Sequence, residues 1–180
     1  GIKSYRYSIS WPRIFPDGKG KPNEKGLDFY KRLTNLLLEN GITPAVTLYH
    51  WDLPQKLQDI GGWANRDVTD YFTEYSEAII RNLGDVVPMW FTINEPFIIS
   101  FLGHLFGNHA PGIKDINVTL QVAHNLLLSH GKVLKIYREM NQKGRIGIAL
   151  NFSFKYPASK DPADIAAANL AFGVFGRWFL

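Results

Sequence analysis

The stretch ITPAVTLYHW, residues 42–51, decides the fold class of this chain. It is nearly continuous in apolar character, which is typical of a strand in a parallel sheet with helices covering both faces. The preceding run, residues 23–41, has apolar residues at three- and four-residue spacing and ends in Gly41, as an amphipathic helix does. A helix followed directly by a buried parallel strand is the repeating step of an α/β fold.

The same step repeats along the chain on both sides of this stretch. Strands are predicted over 4–11, 42–51, 87–96 and 145–157. Helices are predicted over 23–41, 68–85, 118–140 and 161–180. Such alternation predicts a parallel sheet wound right-handedly by its helices. No linker, repeat or low-complexity tract divides the chain, so we expect residues 1–180 to form a single domain segment.

Composition excludes several classes of protein. A hydrophobic content of 46% with 14% aromatic residues in 180 residues excludes a disordered chain. The net charge is +4, but the basic residues are scattered, which argues against nucleic acid as a partner. No window is apolar for long enough to cross a membrane. The absence of cysteine excludes disulfides and favours a cytoplasmic location. We expect neither a cofactor nor a metal site, since His124 and His130 do not share a helix face at ligand spacing.

Polar and aromatic residues concentrate where predicted strands end. They are His50, Trp51, Asp52, Asn94, Glu95 and His109. In parallel α/β folds the carboxyl ends of the strands meet at one edge of the sheet, where functional sites form. Glu95 lies between Asn94 and Pro96 at the end of an apolar run, and an acid there is costly unless it is used. The layout therefore predicts a site at this edge.

Six segments resemble one enzyme family in their order and spacing. They are YRYSISWPRIFPDGKG, TLYHWDLPQ, GGWANRD, FTINEP, NHAPG and LLLSHGKV. Together they resemble glycoside hydrolase family 1, which comprises retaining β-glucosidases and relatives with a (β/α)8 TIM barrel. The resemblance covers essentially all 180 residues. It implies a partial (β/α)8 barrel, about half of a catalytic domain, that contains roughly the second to fifth βα units.

The resemblance also implies roles for individual residues. Glu95 resembles the general acid/base of the family, and Asn94 beside it resembles the residue that binds the sugar 2-hydroxyl. His50 and Trp51 resemble donors to the 3-hydroxyl. Arg6 resembles the strand residue that orients the nucleophilic carboxylate. The implied function is hydrolysis of terminal β-D-glycosides by a retaining, two-carboxylate mechanism without a cofactor.

The second carboxylate is the part that this sequence lacks. Retaining hydrolysis needs two carboxylates about 5–5.5 Å apart, one protonated and one ionised. The family nucleophile is a Glu in an ENG motif on a late strand. The letters LENG at 38–41 do not supply it, because Glu39 ends a predicted helix. We therefore expect the remaining half of the barrel on the same or a companion chain, and an isolated chain without activity.

The missing nucleophile leaves a second hypothesis open. The chain could be a non-catalytic barrel fragment or a weak carbohydrate-binding scaffold that uses His50, Trp51 and Asn94. From the residues alone, Glu95 could also cap a helix or pair with an arginine, and His50 with Trp51 could form a core pair.

Two positions depart from the family pattern and leave the aglycone preference open. Phe97 stands where relatives often carry Trp at the aglycone entrance, and His104 stands where an aromatic is common. His109 is predicted to shape a loop, and Asn151 either supports the site or is structural. Packing roles are predicted for Trp11, Trp63, Trp90, Tyr7, Tyr49 and Tyr156.

Overall fold

Four strands form one parallel sheet in the computed structural model, which describes residues 1–179. The strands are β1 (Ser4–Ser8), β2 (Thr43–Tyr49), β3 (Met89–Asn94) and β4 (Arg145–Ala149). Each strand pairs in parallel with the next along the chain, in the order β1-β2-β3-β4. This is the strand order of a (β/α)8 barrel, so the predicted partial barrel is confirmed.

Helices connect the strands on the outer side of the sheet. They are α1 (Trp11–Ile14), α2 (Glu24–Glu39), α3 (Gln55–Asp59), α4 (Val68–Leu83), α5 (Ile116–Glu139) and α6 (Pro162–Gly176). A 3₁₀ turn covers Gly62–Ala64, and a π-helix covers Ile98–Leu102. None of the described helices is both long and apolar enough to cross a membrane. Within residues 1–179, no cluster of three or more metal-ligating side chains occurs.

Buried strand residues and packed aromatic rings form the core next to the carboxyl edge of the sheet. In β2 every residue after Thr43 is buried, as the apolar run predicted. Trp11 stacks on Tyr75 of α4 with ring centroids 5.1 Å apart, and both rings are fully buried. Trp63 packs against Tyr49 at 5.1 Å. The packing roles predicted for these aromatic residues are confirmed, and they give the loops above a rigid base.

The predicted fourth strand is too long. It was expected over 145–157, but β4 ends at Ala149. The reason is that β3 ends at Asn94, which pairs with Ala149, so the following residues have no neighbouring strand to bond. The packing role predicted for Tyr156 is wrong, since that residue is 87% exposed.

Two short helices occur where loops or strands were predicted. Helix α1 begins at Trp11, inside the predicted strand 4–11, because Pro12 is tolerated in the first turn of a helix. Helix α3 lies in the predicted loop after β2. Helix α6 ends at Gly176, so the predicted helix 161–180 is too long over residues 177–179, and its predicted last residue, 180, lies outside the described residues.

Candidate active site

One guanidinium joins the first three strands at their carboxyl edge. Arg6 of β1 donates from Nε to Thr47 Oγ1 of β2 at 2.8 Å and from Nη2 to Asn94 Oδ1 of β3 at 2.6 Å. Its guanidinium lies 4.6 Å from the centroid of the Phe91 ring. Two charge-assisted hydrogen bonds and a cation–π contact thus fix the position of Arg6.

The charge of Arg6 is coupled to Glu95. Desolvation by the surrounding residues lowers the pKa of Arg6, and the negative charge of Glu95 opposes that change. Arginine stays charged in proteins, so the guanidinium provides a permanent positive charge near the acid. A cation so placed can also hold a second carboxylate in its ionised form.

Asn94 is the centre of the site. It is only 5% exposed, and three neighbours contact it in addition to its own strand. Besides accepting from Arg6, it places its Nδ2 3.2 Å from His50 Nε2, and its backbone oxygen accepts from Trp51 Nε1 at 2.9 Å. Asn94, His50, Trp51 and Arg6 are therefore brought together as predicted.

His50 and Trp51 face solvent at the edge of the sheet. Their rings meet edge to face with centroids 5.1 Å apart, and Trp51 is 39% exposed. They do not form the core pair that the residues alone allowed. The indole N–H of Trp51 is engaged by the Asn94 carbonyl, so in this structure it is not free for a sugar hydroxyl.

Unusual backbone geometry places Trp51 and Glu95. Their φ angles are 80° and 49°, in the left-handed region that non-glycine residues adopt rarely and mostly at functional sites. An irregular register between Phe91 and Asn94 precedes Glu95 and changes the direction of the side chains there. The Glu95 amide then donates to Ala149 O at 2.7 Å, which ties the acid to β4.

Glu95 itself is half-buried at the end of β3. Within the described part of the chain, its carboxylate forms no ion pair and caps no helix. Neither the helix cap nor the pairing with an arginine, which were the structural alternatives for Glu95, is thus observed there. Glu39 is the last residue of α2, at the opposite edge of the sheet from Glu95, as expected of a helix end.

Two further residues, Ser8 and Thr47, contribute to the site although the sequence did not indicate them. Ser8 places its Oγ 3.0 Å from His50 Nδ1, and Thr47 accepts from Arg6. The strand period offered one signal, since residues two apart, such as Arg6 and Ser8, share a face. Asp52, which the sequence did indicate, is close to Ser10 and His50. Burial raises the pKa of Asp52, and a hydrogen bond with the Ser10 side chain opposes that rise.

The predicted aglycone residues are less accessible than expected. Phe97 is 6% exposed and stacks on Phe101 at 4.4 Å, so it does not line an open entrance. His104 is buried, with Nδ1 2.8 Å from Ile99 O, and burial lowers its pKa. His109 is exposed and lies edge-on to Trp51 at 5.6 Å, beside a cavity of about 210 Å³. Asn151 is half-buried, and its role remains a prediction.

The fold and the site together define a class of protein: a (β/α)8-barrel protein with polar side chains gathered at the carboxyl edge of its sheet. The model of one family, described as Glycosyl hydrolase family 1, matches residues 1–180, and the chain belongs to this family.

Relatives and solved structures agree with this assignment. The chain is 72% identical over 180 residues to Beta-glucosidase A of Acetivibrio thermocellus, covering 100% of this chain and 40% of that protein. It is 55% identical over 168 residues to the 1,4-beta-D-glucan glucohydrolase of Thermotoga neapolitana, covering 93% of this chain and 40% of that protein. A family 1 b-glucosidase structure from Thermotoga maritima superposes with a TM-score of 0.93 at 50% identity, covering 97% of this chain and 39% of that one. The chain thus spans about 40% of the length of the curated relatives it matches.

Proposed function

We propose that this chain is the acid/base-bearing sector of a retaining β-glycosidase, similar to β-glucosidases, that hydrolyses terminal β-D-glycosides. The observation that carries the proposal is the position of Glu95 at the carboxyl end of β3, beside the cluster of Arg6, Asn94 and His50. Family membership and the β-glucosidase name of a 72% identical relative support it.

In this mechanism Glu95 donates a proton to the leaving glycosidic oxygen and later activates the attacking water. Asn94 binds the sugar 2-hydroxyl, and His50 and Trp51 bind the 3-hydroxyl, for which the Trp51 indole N–H must first leave the Asn94 carbonyl. Because Arg6 and His50 already hold the Asn94 side chain, that side chain needs little reorganisation when charge develops on the sugar. Arg6 orients the nucleophile and keeps it ionised.

The nucleophile comes from outside this chain segment. We propose that residues 1–180 act as one domain segment and that the remaining half of the barrel supplies the second carboxylate. The inner face of the sheet would then be covered by the other strands, as a closed barrel requires. The cytoplasmic location favoured by the cysteine-free sequence remains a prediction.

The test is a Glu95→Gln substitution in the complete barrel that contains this chain. Loss of general acid/base catalysis should lower kcat on an alkyl β-glucoside by about 10²–10⁴-fold. Glu39→Gln is the matched control, since Glu39 ends α2 far from the site, and it should leave turnover unchanged. Full activity of the Glu95→Gln enzyme would overturn the proposal.

A non-catalytic sugar-binding fragment is the second candidate. It is favoured by the exposure of His50 and Trp51 in a sequence that lacks the family's ENG nucleophile motif on a late strand. This candidate is tested by calorimetric titration of the chain alone with glucose, beside an assay of the same chain for turnover of an alkyl β-glucoside. Binding without turnover, lost in Asn94→Ala, supports the second candidate. Turnover by the chain alone that disappears in Glu95→Gln would exclude it.

A further inference from the structure

The backbone on both sides of Glu95 holds this residue in a rare conformation. Glu95 has a φ of 49°, and a non-glycine residue keeps such a conformation only where the surrounding structure fixes it. On one side, its amide donates to Ala149 O of β4. On the other side, its carbonyl accepts from the amides of Ile98 at 2.9 Å and Ile99 at 3.4 Å. The position of Glu95 therefore depends on the turn that contains Ile98 and Ile99.

That turn is the beginning of the π-helix Ile98–Leu102. Such helices are rare, and they occur frequently at functional sites. Two side chains bind carbonyl groups of this segment. Ser100 Oγ donates to Pro96 O at 2.8 Å, four residues back, a bond that serine also forms in ordinary helices. His104 Nδ1 lies 2.8 Å from Ile99 O, five residues back, which is the spacing of the π-helix.

The direction of the His104 hydrogen bond is fixed by its acceptor. A backbone carbonyl can only accept, so Nδ1 of His104 carries the proton. His104 is 2% exposed, and burial lowers its pKa, which keeps the ring neutral with its single proton on Nδ1. The backbone of His104 is held as well, because its carbonyl accepts from the amide of Asp115 at 2.9 Å. His104 thus connects Ile99 to the first residues of α5.

We propose that His104 is a positioning residue for Glu95, which acts by holding the beginning of the π-helix through the carbonyl of Ile99. Ile99 is the link, because its amide contacts the Glu95 carbonyl and its own carbonyl accepts from His104. The proposal rests on the acid/base role proposed above for Glu95. His104 itself is buried and takes no part in proton transfer.

The choice of substrate separates a displaced acid from general damage to the protein. A displacement of a catalytic group by about 1 Å can lower the rate on the order of 10²-fold. That loss should be confined to substrates whose leaving oxygen needs a proton. An alkyl β-glucoside needs one, whereas a dinitrophenyl β-glucoside does not, because its phenolate leaves unprotonated. The ratio of kcat/KM for the two substrates therefore reports the position of the acid.

This ratio is measured in the complete barrel with two substitutions at His104. His104→Phe fills the space of the ring without a donor. It should lower kcat/KM on the alkyl glucoside by about 10- to 100-fold, and that on the dinitrophenyl glucoside by less than about threefold. His104→Asn carries an N–H group on the atom that replaces Nδ1, so it should restore most of the loss. His124→Phe, at an exposed position of α5, is the matched control and should leave both values unchanged.

A measurement on the unsubstituted barrel covers the case in which His104→Phe does not fold. With ¹⁵N-labelled histidine at a pH of about 8.5, above the range in which free histidine titrates, long-range ¹H–¹⁵N correlation separates protonated from unprotonated ring nitrogens. His104→Asn identifies the signal of His104 by its loss. We expect the proton on Nδ1, and a proton on Nε2 would overturn the proposal.

The kinetic outcomes distinguish this inference from the proposed function. Equal losses on both substrates in His104→Phe would show that His104 is merely structural. An Asn variant as impaired as the Phe variant would show that the hydrogen bond is not the cause. Either result overturns the proposal. Glu95→Gln is assayed beside these variants: full activity would refute the proposed function and this inference with it. A selective loss on the alkyl glucoside in Glu95→Gln, without one in His104→Phe, would refute this inference alone.

Discussion

The position of Asp52 in the site disfavours the charged form of its carboxylate. Its carboxylate lies among Ser10, His50 and buried tyrosines, and one of its oxygens, Oδ1, is buried with no hydrogen-bond partner in the described structure. Burial raises the pKa of Asp52 because the charged form is poorly solvated there. Such a group favours folding at acidic pH, and its contribution is lost as pH rises through its pKa in the folded state.

We therefore predict that Asp52→Asn raises the free energy of unfolding at neutral pH. The gain should shrink as pH falls through the folded-state pKa, because Asp52 itself then becomes neutral. Urea unfolding of both proteins across the acidic range provides the measurement. Asp59→Asn, at the exposed last residue of α3, is the control. A gain that is constant with pH would show that the charge of Asp52 is not its cause.

At the scale of elements, a buried hydroxyl of the sheet contacts a histidine of α5. The Thr92 hydroxyl of β3 donates to Gly147 O of β4 at 3.2 Å, and it lies 2.8 Å from Nδ1 of His130 on α5. Burial lowers the pKa of His130, and it does the same for His104. Protonation of either histidine thus opposes the folded state.

The chain should accordingly lose stability on acidification from about pH 7 to 5. A histidine whose pKa is lowered on folding contributes stability above its unfolded value near 6.5, and that contribution is lost as pH falls. In a His104→Gln/His130→Gln double variant the urea midpoint should depend less on pH over this range. An identical pH dependence in the two proteins would contradict the prediction.

The start of α5 depends on one side chain. Asp115 Oδ1 accepts from the amides of Asn117 at 2.7 Å and Val118 at 3.2 Å. Asp115→Ala should lower the free energy of unfolding by about 1 kcal/mol, as is typical for loss of an N-cap, whereas Asp115→Asn should retain most of it. Equal stability of the two variants in urea would mean that the cap contributes little.

The ends of some helices and strands were predicted more accurately than those of others. Helices α2, α4 and α5 were predicted to within two residues at most of their ends, because each repeats its apolar spacing over several turns. The end of β4 was missed because it depends on where β3 stops pairing, which is not a local property.

The candidate site was predicted in part for a similar reason. Glu95 and Asn94 could be placed from the end of a strand and from the family motifs. Ser8 and Thr47 could not, since their importance lies in hydrogen bonds to side chains about 40 residues away.

At the scale of the whole molecule, β1 is one of the two edge strands that a completed barrel would have to cover. The Ile9 amide donates to Thr47 O, and Lys3 O accepts from the Thr43 amide, so the odd-numbered residues of this region bond to β2. Because bonding in a parallel strand alternates, the amides of Ser4, Arg6 and Ser8 point toward the other side. Such an edge is a template for pairing with another strand.

Hydrogen exchange can show whether that pairing occurs. In the chain alone, the amides of Ser4 and Arg6 should exchange much faster than those of Tyr5 and Tyr7. In the complete barrel the two sets should be protected alike. If all four amides are protected in the chain alone at low concentration, β1 already has a second neighbour and the proposed arrangement of the domain segment is wrong.

The contacts of Arg6 have a consequence for recombining relatives of this protein. Its guanidinium spans β1, β2 and β3, so residues 6, 47 and 94 constrain one another across nearly half of the chain. In a chimera with its crossover between residues 6 and 94, Arg6 and at least one of its two acceptors come from different parents. Its hydrogen bonds then form only if the two parents have compatible residues at positions 6, 47 and 94. A crossover beyond residue 96 inherits all three together. Tolerated breakpoints in a library of such chimeras should therefore cluster after the third strand.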